Sequence, residues 1–213
     1  MPRDVANENQ ELRSGTPTLA ILAGGAASRM GKPKGELVID GRSIIQYLLD
    51  RFAWDGPTLL VTAPGREYPP GWERFTREVV DPVSGQGPLR GVLTALENAM
   101  TDRVLVTTID MPGLDGSHLR WMVEQSRASV TMTRHGDQIE PFPSMYHTPA
   151  AAAMIRAELD AGRLSVQALS RQAAAQVLDA PQVWDDSVWM NLNRPQDLTD
   201  FLTRLSRSSR AGR

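Results

Sequence analysis

A glycine-rich segment near the start of the chain has the composition of a polyphosphate-binding loop. Gly24 and Gly25 directly follow a short apolar run, where they permit a tight turn and a close approach of the backbone to a ligand. Backbone N–H groups in such a loop can cradle phosphates. Arg29, Lys32 and Lys34 add positive charge and donors, and no other lysine occurs among the 23 basic residues. The alternative interpretation is a solvated loop that binds nothing.

Polar side chains also follow later apolar segments, and Asp110 is the candidate metal ligand among them. A carboxylate at the carboxyl end of a strand can hold Mg²⁺, a hard cation that prefers oxygen ligands. Each of these residues also has a purely structural interpretation. Asp110 could cap its own turn, Asp81 precedes a proline and could open a turn, and Asn193 with Gln196 could cap the last helix.

The glycine segment fits neither of two well-known phosphate-binding loops. A Walker A loop requires G-x-x-x-x-G-K-[ST], but Ala26 lies five positions before Gly31, and Pro33 follows Lys32. The dinucleotide fingerprint G-x-G-x-x-G is also absent from the sequence. The segment is therefore a third kind of glycine loop.

Apolar segments that predict strands alternate with short amphipathic segments that predict helices. The strands are predicted at 18–23, 57–62, 79–80, 103–109, 129–133 and 188–192, with a proline-containing strand-like segment at 138–146, and the helices from Ser43 and at 88–100, 117–127, 149–160, 165–174 and 195–206. This alternation predicts an α/β, Rossmann-like three-layer sandwich, with a mostly parallel central sheet and helices on both faces. Ligands of such sheets bind beyond the carboxyl ends of the strands. We therefore expect residues 24–34, 81–91, 110–112 and 191–193 to meet at one edge.

Length and composition indicate one globular domain. The chain has 213 residues, of which 41% are hydrophobic, a net charge of −2 and no cysteine. The missing cysteines exclude disulfides, thiolate nucleophiles and cysteine zinc sites, and the low net charge argues against nucleic acid as a partner. No signal peptide or membrane span is evident, so no membrane partner and a cytoplasmic location are expected. We expect a disordered polar lead at 1–16, the domain at 17–206 and a disordered tail at 207–213.

Five motifs occur in a fixed order through residues 17–206. They are Leu22-Ala-Gly-Gly with Arg29-Met-Gly and Lys34, Asp81 with Gly87-Pro-Leu and Gly91, Asp110-Met-Pro112, the proline-containing segment Glu140–Tyr146, and Asn191-Leu-Asn-Arg-Pro195. Together they resemble the molybdenum cofactor guanylyltransferase family of the nucleotidyltransferase superfamily. The resemblance implies Mg²⁺-dependent transfer of GMP from GTP to molybdopterin with release of pyrophosphate. It also implies molybdoenzymes or their chaperones as partners that receive the product.

The resemblance assigns a role to each matching residue. The implied catalytic residues are Arg29, Lys34 and Asp110, and the implied nucleotide-binding residues are Leu22, Ala23, Gly24, Gly25, Lys34, Asp81, Gly87, Pro88 and Leu89. The metal would be held by Asp110 and Asn193, and the acceptor by Asn191 and Asn193. The family pattern requires no cation at Lys32.

Two positions depart from the family pattern and keep other activities open. Pro33 stands where an aspartate usually precedes the loop lysine, and Arg90 stands where a small residue is common. Pro-Lys is more typical of sugar nucleotidyltransferases and of methylerythritol-phosphate cytidylyltransferases. A cytidylyl- or sugar-phosphate-transferring enzyme and a non-catalytic nucleotide-binding paralogue are therefore the alternatives.

The histidines and two tryptophans are weaker candidates for function. His118, His135 and His147 are far apart in the sequence and lack metal-ligand spacing, so we expect structural or surface roles for them. Trp184 and Trp189 could line an acceptor pocket for a flat pterin, or they could belong to the core.

Overall fold

A seven-stranded sheet forms the centre of the computed structural model, which describes residues 15–24, 30–31, 33–83 and 85–211. Its strands are β1 (Thr18–Leu22), β4 (Thr58–Thr62), β5 (Arg77–Val80), β6 (Arg103–Thr108), β7 (Val130–His135), β8 (Gln138–His147) and β9 (Ala175–Asp179). Two short strands, β2 (Val38–Ile39) and β3 (Arg42–Ser43), form a separate antiparallel pair.

The order of the strands in the sheet is β5-β4-β1-β6-β8-β7-β9. Strands β5, β4, β1 and β6 are parallel neighbours, and β9 is parallel to β7. Among these seven strands, only β8 runs in the opposite direction. It lies between β6 and β7 and pairs antiparallel with both. The fold is therefore the predicted α/β class, with a mostly parallel central sheet.

The central strands β1 and β4 are buried along their whole length because helices cover both faces of the sheet. All five residues of β1 are buried, and so are all five of β4. Such uninterrupted runs are typical of parallel strands that are shielded on both sides. The covering helices are α1 (Ile44–Phe52), α2 (Gly87–Asn98), α3 (Gly116–Gln125), α4 (Thr148–Asp160) and α5 (Pro195–Ala211).

The sequence signals at two helix starts act as predicted. The Ser43 hydroxyl accepts a hydrogen bond from the Gln46 backbone N–H at 3.3 Å, and the Gln46 side chain accepts one from the Ser43 N–H at 3.2 Å. This capping box satisfies N–H groups that a helix leaves free at its start. In α2, Pro88 lies in the first turn, where its missing N–H costs nothing.

The proline-containing segment 138–146 is a strand because its prolines fall where the pairing with β7 is interrupted. Residue Thr131 pairs with Met145, and Thr133 pairs with Glu140, so the register shifts between them. Pro141 and Pro143 lie in the skipped stretch. A residue without an N–H therefore removes no bond from that ladder.

Two predictions for the last third of the chain are wrong, and one strand there was not predicted. Residues 188–192 form a turn followed by irregular backbone instead of a strand, and the predicted helix at 165–174 is a short 3₁₀ turn over Gln167–Arg171. The strand β9 that follows was not predicted, because its partly buried residues show neither a continuous apolar run nor clean alternation.

The last helix also extends further than predicted. Residues 207–211, which were assigned to a disordered tail, belong to α5. Among the described residues, no helix has the length and apolar character needed to cross a membrane.

Candidate active site

A pocket of about 750 Å³ opens at the carboxyl edge of the parallel strands. Most of its walls come from the segments that directly follow β1, β4, β5 and β6, as expected for this class of sheet. Its lining comprises Leu22, Gly24, Lys34, Val61, Thr62, Ala63, Pro64, Arg66, Asp81, Val83, Gly85, Gln86, Gly87, Pro88, Gly91, Thr108, Ile109, Asp110, Phe142, Asn191 and Asn193.

At one end of the pocket, three predicted residues from distant parts of the chain are in contact. The Lys34 ammonium forms a salt bridge with Oδ2 of Asp110 and donates a hydrogen bond to Oδ1 of Asn193 at 2.8 Å. Lys34 begins a 3₁₀ turn, Asp110 follows β6, and Asn193 precedes α5. The Lys34 and Asp110 side chains keep only 13% and 15% of their surface exposed. The contact therefore forms in a largely shielded environment, where charge interactions are strong.

Asn193 reaches this cluster because its backbone is fixed on both sides. The Leu192 N–H donates to the Asp110 carbonyl at 2.8 Å. The Asp197 carboxylate accepts from the backbone N–H groups of Asn193 and Arg194 at 2.8 and 2.7 Å. Asp197, in the first turn of α5, thus serves the role that was considered for Asn193 with Gln196, and the Asn193 side chain is free to face Lys34.

The donors of this cluster fit a hard divalent cation. Oδ1 of Asp110 is buried and has no hydrogen-bond partner within the described ranges. With Oδ2 and the Asn193 amide oxygen, it offers the oxygen ligands that Mg²⁺ prefers. In the part of the chain that the structure describes, no group of three or more histidine, cysteine, aspartate or glutamate side chains is arranged to hold a metal ion. Mg²⁺ commonly binds one or two carboxylates and completes its shell with phosphate oxygens and water, so the small donor set is sufficient.

At the other end of the pocket, Asp81 is held in a buried network. Its Oδ1 accepts hydrogen bonds from the Val83 N–H at 3.3 Å, from Arg90 Nε at 3.3 Å and from the Thr94 hydroxyl at 3.2 Å. The bond to Val83 is the turn-opening contact that the sequence allowed. Because Asp81 also lines the pocket, the structural and the ligand-binding interpretations are compatible.

The other predicted nucleotide-binding residues divide into three groups. Leu22, Gly24, Gly87 and Pro88 line the pocket. The Leu89 side chain does not, since it is fully buried in the core. Ala23 is partly buried, and its N–H is bonded to the Val61 carbonyl at 2.8 Å. Arg29 and Gly25, like Lys32, lie outside the described residues.

Thr62 and Arg66 are among the lining residues that the sequence did not identify. Thr62, 2% exposed, ends β4, and its hydroxyl has no partner within the described ranges. A buried hydroxyl without a partner is costly, so it is available to a ligand. Arg66 is exposed at the rim of the pocket. The polar residue that ends the apolar run TLLVT is the signal that could have identified Thr62, because it occupies the same strand-end position as the predicted residues.

The histidines lie outside the pocket lining, as expected. Nδ1 of His118 accepts from the Asp115 N–H at 3.0 Å and completes the capping box of α3, while burial lowers the pKa of the imidazole. Its ring meets Trp184 edge-on, with centroids 4.6 Å apart. Trp189 stacks on His135 and is only 7% exposed. The tryptophans thus belong to an aromatic cluster beside the site and do not line the pocket.

The family model described as "MobA-like NTP transferase domain" matches residues 19–177. The chain belongs to this family. The matched range includes the glycine loop, Asp81 and Asp110. It ends within β9, so Asn191 and Asn193 of the pocket lie in the segment that follows the family model.

Curated relatives agree with this family assignment over nearly the whole chain. A probable molybdenum cofactor guanylyltransferase of Deinococcus radiodurans is 31% identical over 193 residues, which cover 88% of this chain and 94% of the relative. A molybdenum cofactor guanylyltransferase of Syntrophotalea carbinolica is 31% identical over 186 residues, or 83% of this chain and 86% of the relative.

A solved structure shares the fold. Molybdopterin-guanine dinucleotide biosynthesis protein A of Archaeoglobus fulgidus superposes with a TM-score of 0.75 at 21% identity, over 89% of this chain and 99% of that chain. The resemblance found in the motifs is thus confirmed. The protein is a nucleotidyltransferase of the molybdenum cofactor guanylyltransferase family.

Proposed function

We propose that this protein transfers GMP from GTP to molybdopterin with Mg²⁺ and releases pyrophosphate. The observation that carries the proposal is the contact of Lys34, Asp110 and Asn193 at one end of a pocket whose other end contains Asp81. The names of the relatives support guanine as the base and the molybdenum cofactor as the acceptor.

The layout of the pocket suits an extended nucleoside triphosphate. Asp110 follows β6 and Asp81 follows β5, with β1 and β4 between them in the sheet. Neighbouring strands lie about 4.8 Å apart, so the three spacings from β5 to β6 place the Asp81 and Asp110 ends of the pocket about 14 Å apart. The triphosphate lies at the end with Lys34 and Asp110, and the nucleoside extends toward Thr62 and Asp81.

The reaction requires no side chain to act as a base. A phosphate oxygen of molybdopterin attacks the α-phosphorus of GTP, and a new P–O bond forms. The bond from the α-phosphorus to the oxygen bridging it to the β-phosphate breaks, and pyrophosphate leaves with that electron pair. Because the attacking oxygen is already anionic, catalysis consists of positioning and neutralisation of charge. When bound, Mg²⁺ supplies positive charge next to the phosphates.

In this mechanism Lys34 changes partners. In the structure its ammonium bridges the oxygens of Asp110 and Asn193, which are also the proposed metal ligands. Nucleotide binding would draw the ammonium toward the negatively charged phosphates and free both oxygens, which would then be the ligands that hold Mg²⁺. Lys34 then stabilises the leaving pyrophosphate, while Asn191 and Asn193 face the acceptor.

Thermal protection by nucleotides tests the proposal. GTP with Mg²⁺ is expected to raise the melting temperature more than ATP, CTP or UTP, and removal of Mg²⁺ should reduce that shift. Preference for CTP would instead favour a cytidylyltransferase. Pyrophosphate release should require both GTP and molybdopterin, whereas tight GTP binding without release under any acceptor would indicate the non-catalytic paralogue.

A matched pair of aspartate variants tests the role of the site itself. Asp110→Asn is expected to lower the rate of pyrophosphate release about 10²–10³-fold. Asp102→Asn makes the same change at an exposed residue just before the same strand, and it should leave release unchanged. Equal release by the two variants would contradict the proposal.

A further inference from the structure

Among the described residues, the Arg90 side chain is joined to the lining of the nucleotide pocket through Asp81. Arg90 lies in the first turn of α2, and its guanidinium donates from Nε to Oδ1 of Asp81 at 3.3 Å. It is not part of the pocket lining, whereas Asp81 is. We propose that Arg90 is a positioning residue that fixes the Asp81 carboxylate for nucleoside binding. The inference rests on the proposed function, because it assigns Asp81 to the nucleoside end of the pocket.

The contacts of Asp81 are one-sided. All the hydrogen bonds that the carboxylate receives from described residues, from Val83, Arg90 and Thr94, go to Oδ1. A carboxylate has about four acceptor positions, so Oδ2 keeps its own acceptor positions available. Oδ2 lies beside Gly91, where an added Cβ would be 4.0 Å away, and Gly91 lines the pocket. With Oδ1 fixed by these bonds, Oδ2 of Asp81 faces the pocket.

Arg90 can fix Asp81 because the guanidinium is itself held. Its Nη2 lies 3.7 Å from Oε2 of Glu97, about two turns further along the same face of α2. Glu97 in turn accepts from Arg156 of α4 at 2.9 Å. The Arg90 and Asp81 side chains are only 17% and 12% exposed, so solvent screens their interaction weakly. The chain Asp81–Arg90–Glu97–Arg156 thus ties the pocket wall to the packing of two helices.

The ligand that Oδ2 selects is a hydrogen-bond donor of the nucleoside. An ionised carboxylate only accepts hydrogen bonds, so its partner is an N–H of the base or a hydroxyl of the ribose. A carboxylate that rotates freely would present this acceptor only part of the time, and ordering it would reduce affinity. Arg90 removes that cost before the nucleotide arrives. Its loss should therefore weaken nucleotide binding and leave the transfer step itself intact.

The test compares Arg90→Ala with Arg156→Ala, which removes an arginine from the same chain of contacts without touching Asp81. Arg90→Ala is expected to raise the Kd and KM for GTP about tenfold, the effect of losing one charge-assisted hydrogen bond, with kcat changed less than about twofold. Arg156→Ala should change all three less than about twofold. An unchanged Kd in Arg90→Ala, or a loss confined to kcat, would overturn the proposal.

A double-variant cycle shows whether Arg90 acts through Asp81. In an Asp81→Asn background, adding Arg90→Ala should no longer change the Kd for GTP, because the carboxylate to be positioned is already gone. A full tenfold loss in that background would show that Arg90 acts elsewhere. Arg90→Lys keeps the charge and should recover part of the affinity, whereas Arg90→Met keeps only the volume and should not. Recovery by methionine would make the role one of packing and would refute positioning.

Two further arms separate this inference from the proposed function. Measuring the Kd of inosine triphosphate and of 2′-deoxyguanosine triphosphate identifies the donor. If Arg90→Ala no longer raises the Kd of inosine triphosphate, the donor is the guanine amino group. If it no longer raises the Kd of 2′-deoxyguanosine triphosphate, the donor is the ribose 2′-hydroxyl. If another nucleotide binds better than GTP, the proposed function fails, and the Arg90 comparison is made with that nucleotide. Melting temperatures identify any variant that fails to fold. If Arg90→Ala does not fold, Arg90→Met, which keeps the volume and is expected to show the same loss of affinity, serves in its place.

Discussion

Replacing Lys34 by methionine should lower the stability and the turnover of the protein for two separable reasons. Methionine keeps most of the volume and removes the ammonium that bridges Asp110 and Asn193. The Asp110 carboxylate, 15% exposed, then loses its partner, and its Oδ1 has none among the described residues. Removing one member of a well-buried pair costs about 3–5 kcal/mol. Partial exposure reduces this to about 2 kcal/mol, which lowers the Tm by about 4–8 °C in a chain of this length.

A second substitution should restore the stability without restoring activity. In Lys34→Met with Asp110→Asn, the stranded charge is replaced by a neutral amide, so the double variant should be more stable than Lys34→Met alone. Turnover in both should be about 10²–10³-fold below that of the unmodified protein, because each lacks the cation that neutralises the phosphates. Lys32→Met is the matched control and should change turnover little, since the family pattern requires no cation there.

Calorimetric or optical melting and a pyrophosphate-release assay measure these two effects on the same samples. The reasoning about the ion pair is refuted if Lys34→Met melts at the temperature of the unmodified protein, or if the added Asp110→Asn lowers the Tm further. The reasoning about catalysis is refuted if Lys34→Met retains more than about one tenth of the original rate, or if Lys32→Met loses as much.

Three other predictions concern the frame of the site. Burial lowers the pKa of His118, so its contribution to stability is present above pH about 6.5 and is lost as the pH falls, and His118→Gln should weaken this acid-induced drop in Tm. A Cβ on Gly113 would lie 1.8 Å from the Ser187 carbonyl oxygen, so Gly113→Ala should lower the free energy of unfolding by about 3 kcal/mol or more. Ser43→Ala should cost about 1 kcal/mol in denaturant unfolding and leave turnover unchanged, because it removes only a helix cap.

Residues at strand ends were predictable from sequence because a parallel sheet gathers them at one edge. Asp81 and Asp110 follow apolar runs, and the structure places both in the pocket lining. Thr62 also ends an apolar run. Its role as a possible ligand contact became evident only in the structure, where its hydroxyl is buried without a hydrogen-bond partner among the described residues. The family motif assigned Leu89 to the nucleotide, but helix α2 turns that side chain into the core and brings its neighbours Gly87 and Pro88 to the pocket.

The tertiary contacts of polar residues were the least predictable part of the site. Asn193 matched a motif, but the sequence did not show whether its side chain caps the last helix or lies in the site. The structure answers this, because Asp197 accepts the hydrogen bonds of the Asn193 and Arg194 backbone N–H groups. Arg90 was visible only as a departure from the family pattern, and its contact with Asp81 requires α2 to pack beside the end of β5. The antiparallel β8 and the added β9 also depend on pairing partners distant in sequence, which local patterns do not specify.

The contact between Lys34 and Asn193 joins residues 159 positions apart, and it has a consequence for protein synthesis. The final strand of the sheet ends at Asp179, so the whole sheet can pair before Asn193 leaves the ribosome. Domains generally begin to fold as their chain emerges. A nascent chain at that stage would already have the nucleoside end of its pocket while still lacking an oxygen of the phosphate end. Competence for transfer is thus acquired last, when the segment before α5 docks on Asp110.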